Sequence, residues 1–137
     1  MEHFNEFFIE NIMWFIALGV VLGLLIAPIL SNIKQLDPQQ SVQKINNADA
    51  LVLDIREFHE YEKGHIVNSI HIPLSQIKSK PDELKKHKTK PIIVVCQTGS
   101  RSAIAISTLK KSGYEDLYNL RGGIVAWSNE QLPLTIG

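Results

Sequence analysis

The stretch best suited to chemistry is Cys96–Arg101, in which the single cysteine of the chain is followed by a glycine-containing loop and an arginine. Branched apolar residues, Ile92–Val95, precede the cysteine, and a helical pattern follows the arginine. The pattern predicts a strand, a tight loop and a helix. Cys96 then lies at the carboxyl end of its strand, where open α/β sheets bind ligands.

Two interpretations of Cys96 compete. A lone cysteine that ends an apolar strand is commonly an inert core residue. The loop favours a nucleophile, because its amides, the helix dipole and Arg101 would all stabilise a thiolate. Gly99 permits a backbone conformation that other residues avoid, and Ser100 suits the N-cap of a helix that begins near Arg101. We therefore predict a nucleophilic cysteine in an anion-binding cradle made of Gln97, Thr98, Gly99, Ser100 and Arg101.

Composition limits the other functions. The 137 residues carry 14 basic and 14 acidic side chains, which fits one small domain and argues against a nucleic-acid-binding surface. A single cysteine excludes an internal disulfide and a multi-cysteine metal site. The spacing of His59, His65 and His71 matches no metal-binding motif, so we expect neither a metal nor a cofactor.

The first segment differs from the rest, since residues 11–33 contain no charged side chain. About twenty apolar residues suffice to cross a bilayer as a helix, and Trp14 and Phe15 suit an aromatic anchor. A cleaved signal peptide is the alternative, but the preceding tail lacks Lys and Arg and no A-x-A pattern follows. We predict a tail at 1–10, a transmembrane helix at 11–33 and a linker at 34–36.

Flanking charges set the expected orientation. Lys34 and Lys44 follow the helix, and positive residues stay in the cytoplasm. We expect a single-pass protein of the cell inner membrane, with its N-terminus outside and its domain in the reducing cytoplasm. Gly19, Gly23 and Ala27 recur four residues apart, which suits a homodimer through one helix face, although small residues are also common in membrane helices.

Residues 37–137 alternate between helical and strand patterns. Asp37 is a predicted N-cap with Pro38 in the first helical turn. Apolar runs predict strands at 50–55, 66–72, 91–96 and 117–120. Further helices are predicted at 57–63, 81–87 and 101–112, and a final helix that opens at Gly122-Gly123 contains Trp127. This alternation predicts an α/β fold with a mainly parallel sheet and helices on both faces.

Several short motifs follow one another in this domain. They are Leu53-Asp54-Ile55-Arg56-Glu57, Glu60-Tyr61-Glu62-Lys63-Gly64-His65-Ile66, Ile72-Pro73-Leu74, Cys96-Gln97-Thr98-Gly99-Ser100-Arg101-Ser102, Gly113-Tyr114 and Leu120-Arg121-Gly122-Gly123-Ile124-Val125-Ala126-Trp127. In this order and spacing they resemble the rhodanese-like domain, the fold of sulfurtransferases. With the anchor in front, the chain resembles the membrane-tethered single-domain bacterial members.

The resemblance implies persulfide chemistry. A Cys96 thiolate would take sulfur from a sulfane donor, and a small nucleophile or a protein thiol would remove it. Loop amides would hold the charge of the terminal sulfur, while Arg101 would brace the loop or add positive charge. Because no second cysteine exists to resolve the persulfide, the acceptor must be a separate molecule.

Loop length separates sulfur from phosphate chemistry. Phosphatases that resemble this fold have one more residue between Cys and Arg, whereas Gln97–Ser100 alone intervene here. Many thiosulfate-using members carry a basic residue after the cysteine, so Gln97 weakens thiosulfate as the donor. A second hypothesis is a non-catalytic membrane adaptor that uses the same fold to bind other membrane proteins.

Asp54 and Arg56 match family positions beside the loop. For Asp54 we expect a structural role, holding loop amides or an arginine, because buried carboxylates are committed to hydrogen bonds. Arg56 has two open interpretations. It either faces the substrate or pairs with Glu57 or Glu60 on the surface.

Overall fold

The computed structural model describes residues 2–31, 33–79 and 83–137, which divide into one unit within 1–32 and another over 33–137. The first unit contains helices α1 (Glu2–Glu10) and α2 (Ile12–Ser31). Within the described residues, no single helix meets the length and apolarity of a membrane span. His3–Glu10 and Ile12–Ile26 meet both only as a pair, bent by 55°. The predicted transmembrane helix therefore stays a prediction.

The second unit is built on a five-stranded sheet in which every neighbouring pair is parallel. Its strands are β1 (Lys34–Leu36), β2 (Leu51–Asp54), β3 (Ile70–His71), β4 (Ile92–Val95) and β5 (Leu117–Leu120), in the spatial order β1-β5-β4-β2-β3. The central strand β4 leads directly to Cys96. The predicted α/β class with a parallel sheet is confirmed.

Helices cover both faces of this sheet because β4 is apolar on both of its faces. Ile92 and Val94 face a core cluster that includes residues of α5 (Ser102–Lys111). Ile93 and Val95 face a second cluster, completed by α3 (Pro38–Ala48) and α6 (Gly123–Asn129). Buried parallel strands require this continuous apolar pattern. The remaining helix, α4 (Phe58–Lys63), follows β2.

The predicted linker at 34–36 is wrong, because these residues form β1. Their backbone pairs in parallel with β5, so that Gln35 lies opposite Asn119. Three mixed residues carry too little periodicity to indicate a strand, and only the pairing with β5 makes them one. The chain then enters α3 as predicted. Asp37 Oδ1 accepts from the Gln40 amide at 2.7 Å, and Gln40 Oε1 accepts from the Asp37 amide at 3.0 Å, which completes a capping box.

Two other predicted elements are shorter than expected. Only Ile70–His71 forms a strand within 66–72, because the chain turns at Asn68 with a φ of 65°. The α-helix predicted at 81–87 is absent from residues 83–87, which are the part of this range that the structure describes. Lys85–His87 forms a single 3₁₀ turn, while positions 81 and 82 lie outside the described residues.

Substitution of two isoleucines of α5 shows how much the packing of this helix against the sheet contributes to the free energy of unfolding. Ile106 is fully buried and Ile104 is 59% exposed. We expect Ile106→Ala to lower the free energy of unfolding by about 2–5 kcal/mol, because it leaves a cavity under the sheet. Ile104→Ala removes the same atoms from a solvated position and should change it by less than about 0.5 kcal/mol. Urea unfolding of both variants measures the difference, and equal losses would contradict the assigned core.

Candidate active site

Cys96 lies at the carboxyl end of β4, and its side chain is fully buried. The start of α6 holds the backbone of this loop, since the Ile124 amide donates to the Cys96 carbonyl at 3.0 Å and the Val125 amide donates to the Gln97 carbonyl at 3.2 Å. A Cβ on Gly123 would lie 2.4 Å from the Cys96 carbonyl oxygen. Glycine is therefore required here for the close approach of two backbone segments.

One backbone amide and one hydroxyl oxygen contact the sulfur. The Gly99 amide donates to Cys96 Sγ at 2.9 Å, and the Ser102 hydroxyl oxygen lies 3.6 Å from the same sulfur. Gly99 adopts a φ of 96°, which favours glycine. Across the described parts of the chain, no acceptor takes a hydrogen bond from the amides of Gln97, Thr98, Ser100 or Arg101. These amides remain available to an anion.

A polar network beneath the loop was not anticipated from the sequence. The Ser102 hydroxyl contacts the Gly99 carbonyl at 2.9 Å and also Asn119 Oδ1. Asn119 Nδ2 donates to the Gly99 carbonyl at 3.1 Å and to Gln35 Oε1 at 2.9 Å. The network fixes the loop to β5 and β1. Its signal in the sequence is one asparagine inside an otherwise apolar strand, since buried polar groups require partners.

Helix α5 begins one residue later than expected. Arg101 occupies the N-cap position with helical φ and ψ angles, and the helix starts at Ser102. Ser100, the predicted cap, instead lies with its hydroxyl 3.4 Å from that of Thr98. The prediction failed because Ser102 uses its own hydroxyl to bind the Gly99 carbonyl, which fixes the turn before the helix.

Asp54 and Arg56 form a buried ion pair 2.9 Å long. Asp54 thus binds an arginine and not the loop amides. Arg56 pairs with neither Glu57 nor the carboxylate of Glu60. Its remaining donors reach the Gly64 carbonyl at 2.7 Å, the Glu60 carbonyl at 3.3 Å and the Gln97 side chain at 3.2 Å. With its guanidinium fully engaged, Arg56 joins β2, α4 and the loop.

Aromatic stacking also holds α4 in place. The Tyr61 ring stacks on His65 at 3.7 Å and on His71 at 4.2 Å between centroids. His71 Nε2 lies 2.6 Å from the Arg56 carbonyl, and His65 Nδ1 lies 2.9 Å from the Tyr61 carbonyl. Two of the histidines noted in the sequence are thus bound to backbone carbonyls.

The Arg101 guanidinium binds the Glu60 carboxylate through two hydrogen bonds of 3.1 and 3.0 Å. This contact raises the pKa of Arg101 and lowers the pKa of Glu60, in both cases chiefly through the shared hydrogen bonds. Arg101 therefore braces the loop against α4. Glu60 was not expected to belong to the site, because it lies 41 residues away in sequence.

An open pocket of about 340 Å³ lies beside the loop, and we call it the Gln97 pocket. Charged and polar side chains make up most of its lining, together with two aliphatic side chains and Gln97 of the loop. Its lining consists of Arg56, His59, Glu60, Lys63, Gly64, Gln97, Ile124 and Leu134.

The ion pair between Glu60 and Arg101 predicts a pH-dependent stability. Because the folded pKa of Glu60 is lowered, the pair stabilises the fold above the ordinary value of 4.5 and loses its effect as the pH falls through the folded pKa. We expect Glu60→Gln to cost about 1 kcal/mol or less at pH 7, since both groups are partly exposed, and less still near pH 3.5.

Denaturant unfolding of wild type and variant at both pH values measures this change. Glu62→Gln, at an exposed glutamate of the same helix, is the matched control and should have no effect at either pH. A cost for Glu60→Gln that is the same at both pH values would contradict the assignment.

Comparisons with known proteins agree with this geometry. The rhodanese-like domain family model matches residues 37–130. The uncharacterised protein YibN of Escherichia coli K12 is 35% identical over 130 residues, which cover 94% of this chain and 91% of that protein. A protein of Allochromatium vinosum named sulfurtransferase is 31% identical over 103 residues, covering 74% of this chain and 94% of its own.

A solved structure gives the same fold. The crystal structure of a rhodanese-related protein from Thermoplasma volcanium superposes with a TM-score of 0.68 at 33% identity, covering 76% of this chain and 99% of that one. Because the family model covers most of the chain and the sheet carries a cysteine loop at the end of its central strand, this chain belongs to the rhodanese-like domain family.

Proposed function

We propose that this chain is a membrane-tethered sulfurtransferase that carries sulfane sulfur as a persulfide on Cys96 and passes it to an external acceptor. The observation that carries the proposal is a cysteine sulfur enclosed by a loop with uncommitted backbone amides. The relative from Allochromatium vinosum, whose name is sulfurtransferase, supports the same class of reaction.

Sulfur transfer occurs in two displacements at sulfur. The Cys96 thiolate attacks the outer sulfur of a donor, and a new S–S bond forms while the donor's own S–S bond breaks. The electron pair leaves with the donor fragment, which is a thiolate from an organic persulfide or sulfite from thiosulfate. An acceptor nucleophile then attacks the outer sulfur of Cys96–S–S⁻, and the Cys96 thiolate leaves.

The loop stabilises the charge that this reaction places on the outer sulfur. Amides of Gln97, Thr98, Ser100 and Arg101 supply fixed donors, whose dipoles need no reorganisation when the anion forms. Because Cys96 is fully buried, donor and acceptor must displace part of the loop to reach the sulfur. The same burial shields the persulfide from chance encounters with thiols in solution.

The position of Arg101 favours sulfur over phosphate as the cargo. A phosphate cradle relies on a guanidinium that binds two phosphate oxygens. Here both arms of the Arg101 guanidinium bind Glu60. A persulfide carries one negative charge on one atom and needs only the amide donors.

Mass spectrometry of the full chain in detergent tests the persulfide directly. After incubation with a low-molecular-weight persulfide, we expect a gain of one sulfur atom that cyanide removes as thiocyanate. Thiosulfate should load the protein more slowly, because Gln97 offers no positive charge beside Cys96 to its sulfonate end.

Cys96→Ser is the control and should gain no sulfur from either donor. If the wild-type chain is folded, has a titratable thiol and still gains no sulfur, the sulfurtransferase proposal fails. The non-catalytic adaptor would then account better for the fold.

The membrane tether is the second part of the proposal. The described side chains of α2 are apolar on all sides and mostly exposed, among them Met13 at 79%, Trp14 at 76% and Leu24 at 69%. A helix of this kind favours lipid over water. The similarity to YibN spans 94% of the chain and so includes most of this segment.

The proposal also covers the orientation of the chain in the membrane and the pairing of α2 with a second copy. Lys34 and Lys44 favour a cytoplasmic domain at the inner membrane. Apart from the neighbouring backbone of α2 and the two adjacent residues, no atom of the described residues would lie within 4 Å of a Cβ on Gly19 or Gly23, which leaves room for a second helix. The side chain of Ala27, the third residue of this predicted homodimer face, lies outside the described residues.

Cell fractionation tests the tether. The full chain should sediment with membranes and be released by detergent but not by high salt, whereas a variant lacking residues 1–33 should remain soluble. Protease added to intact spheroplasts should leave the domain uncut until the membrane is permeabilised. Release by salt, or cleavage before permeabilisation, would contradict the tether or its orientation respectively.

A further inference from the structure

We infer that the Gln97 pocket binds an organic persulfide whose small carbon body carries a carboxylate, and that Lys63 recognises this carboxylate. The inference rests on the proposed function and specifies the sulfur donor. Two residues of the pocket adjoin Cys96 through its backbone. Gln97 is the chain neighbour of Cys96, and the Ile124 amide donates to the Cys96 carbonyl.

The charges in the pocket leave one cation uncompensated. The Arg56 guanidinium is paired with Asp54, and the Glu60 carboxylate is paired with Arg101. Lys63 is exposed at the end of α4 and has no ion-pair partner among the described residues. An anionic group that enters the pocket therefore meets one ammonium group that forms no ion pair with a carboxylate of the described residues.

The orientation of Gln97 supplies a neutral donor beside Cys96. Its Oε1 accepts from Arg56 Nη1 at 3.2 Å, and a guanidinium can only donate. This contact fixes the amide, so that Nε2 is free to donate to a ligand, since it has no partner in the described part of the chain. A carbonyl or carboxylate oxygen of the donor body is a suitable acceptor.

Size and lining indicate a carbon body. A volume of about 340 Å³ lies at the lower end of small-molecule pockets and exceeds what a single inorganic anion fills. Ile124 and Leu134 add aliphatic surface to a lining that is otherwise mostly charged or polar. The matching ligand has a few methylene groups, a carboxylate at one end and a persulfide at the other.

The reaction with such a donor is balanced without a further reagent. The Cys96 thiolate attacks the outer sulfur of ⁻OOC–R–S–SH and forms Cys96–S–SH. The S–S bond of the donor breaks, and its electron pair leaves on the thiolate ⁻OOC–R–S⁻. No oxidant or reductant is consumed.

The effect of the donor's charge on the loading rate can be separated from the effect of its shape with three persulfides of similar size. They are the persulfides of 3-mercaptopropionic acid, 3-mercaptopropionamide and cysteamine. Their rates of sulfur loading on the full chain in detergent are measured by mass spectrometry. We expect the acid to react about fivefold faster than the amide, as one exposed ion pair allows, and the amine to react slowest.

Variants assign this preference to Lys63. Lys63→Gln should bring the acid and the amide to nearly equal rates, Lys63→Arg should keep the preference, and Lys110→Gln, at an exposed lysine of α5, should not alter it. Melting curves verify that the variants are folded.

The outcomes separate this inference from the proposed function. Equal loading by all three persulfides in wild type, or a preference for the acid that survives Lys63→Gln, would overturn the inference and leave sulfur transfer intact. Loading by none of them would overturn both.

Discussion

The arrangement of the site depends on the buried ion pair between Asp54 and Arg56. A buried charge must be paired and hydrogen-bonded, because its desolvation is costly. Arg56 meets this demand with donors to Asp54, to two backbone carbonyls of the α4 region and to Gln97. The requirement to satisfy one guanidinium thus fixes β2, α4 and the loop relative to each other. The pair is therefore better understood as specifying an arrangement than as adding stability.

The parallel sheet brings these parts to one edge. Asp54, Cys96 and Asn119 all lie at or near the carboxyl ends of adjacent strands, since β2, β4 and β5 are neighbours and run in one direction. Residues far apart in sequence therefore meet at the loop. Helix α6 approaches the loop so closely that there is no room for a side chain between Gly123 and the Cys96 carbonyl. The cradle is thus built by tertiary packing around a short local motif.

The sequence alone predicted the parts that depend on local pattern. Four apolar residues before Cys96 indicate a buried strand, Gly99 indicates a special backbone conformation, and Gly122-Gly123 indicates the start of the last helix. The pairing of Asp54 with an arginine was one of the two structural roles expected for it. The contacts of Arg56 with Gln97 and of Arg101 with Glu60 could not be predicted, because each joins residues 41 positions apart on different elements. β1 was missed for the same reason, since Lys34–Leu36 is a strand only because β5 offers an edge. Asn119 has a local signal, but its ligands at Gly99 and Gln35 depend on the sheet.

The pairing of charges gives the site its chemical character. Arg56 contacts the loop and Arg101 belongs to it, and each is matched by a carboxylate, Asp54 and Glu60 respectively. Because both guanidinium groups are paired, they hold the loop against its neighbours and are not available to bind a multiply charged anion such as phosphate. What remains at the sulfur is a set of neutral amide donors, which suits one negative charge on one large atom. In the proposed reaction, the charge of Lys63, which lies outside the loop, would select the body of the donor, whereas the amides would hold the sulfur that is transferred.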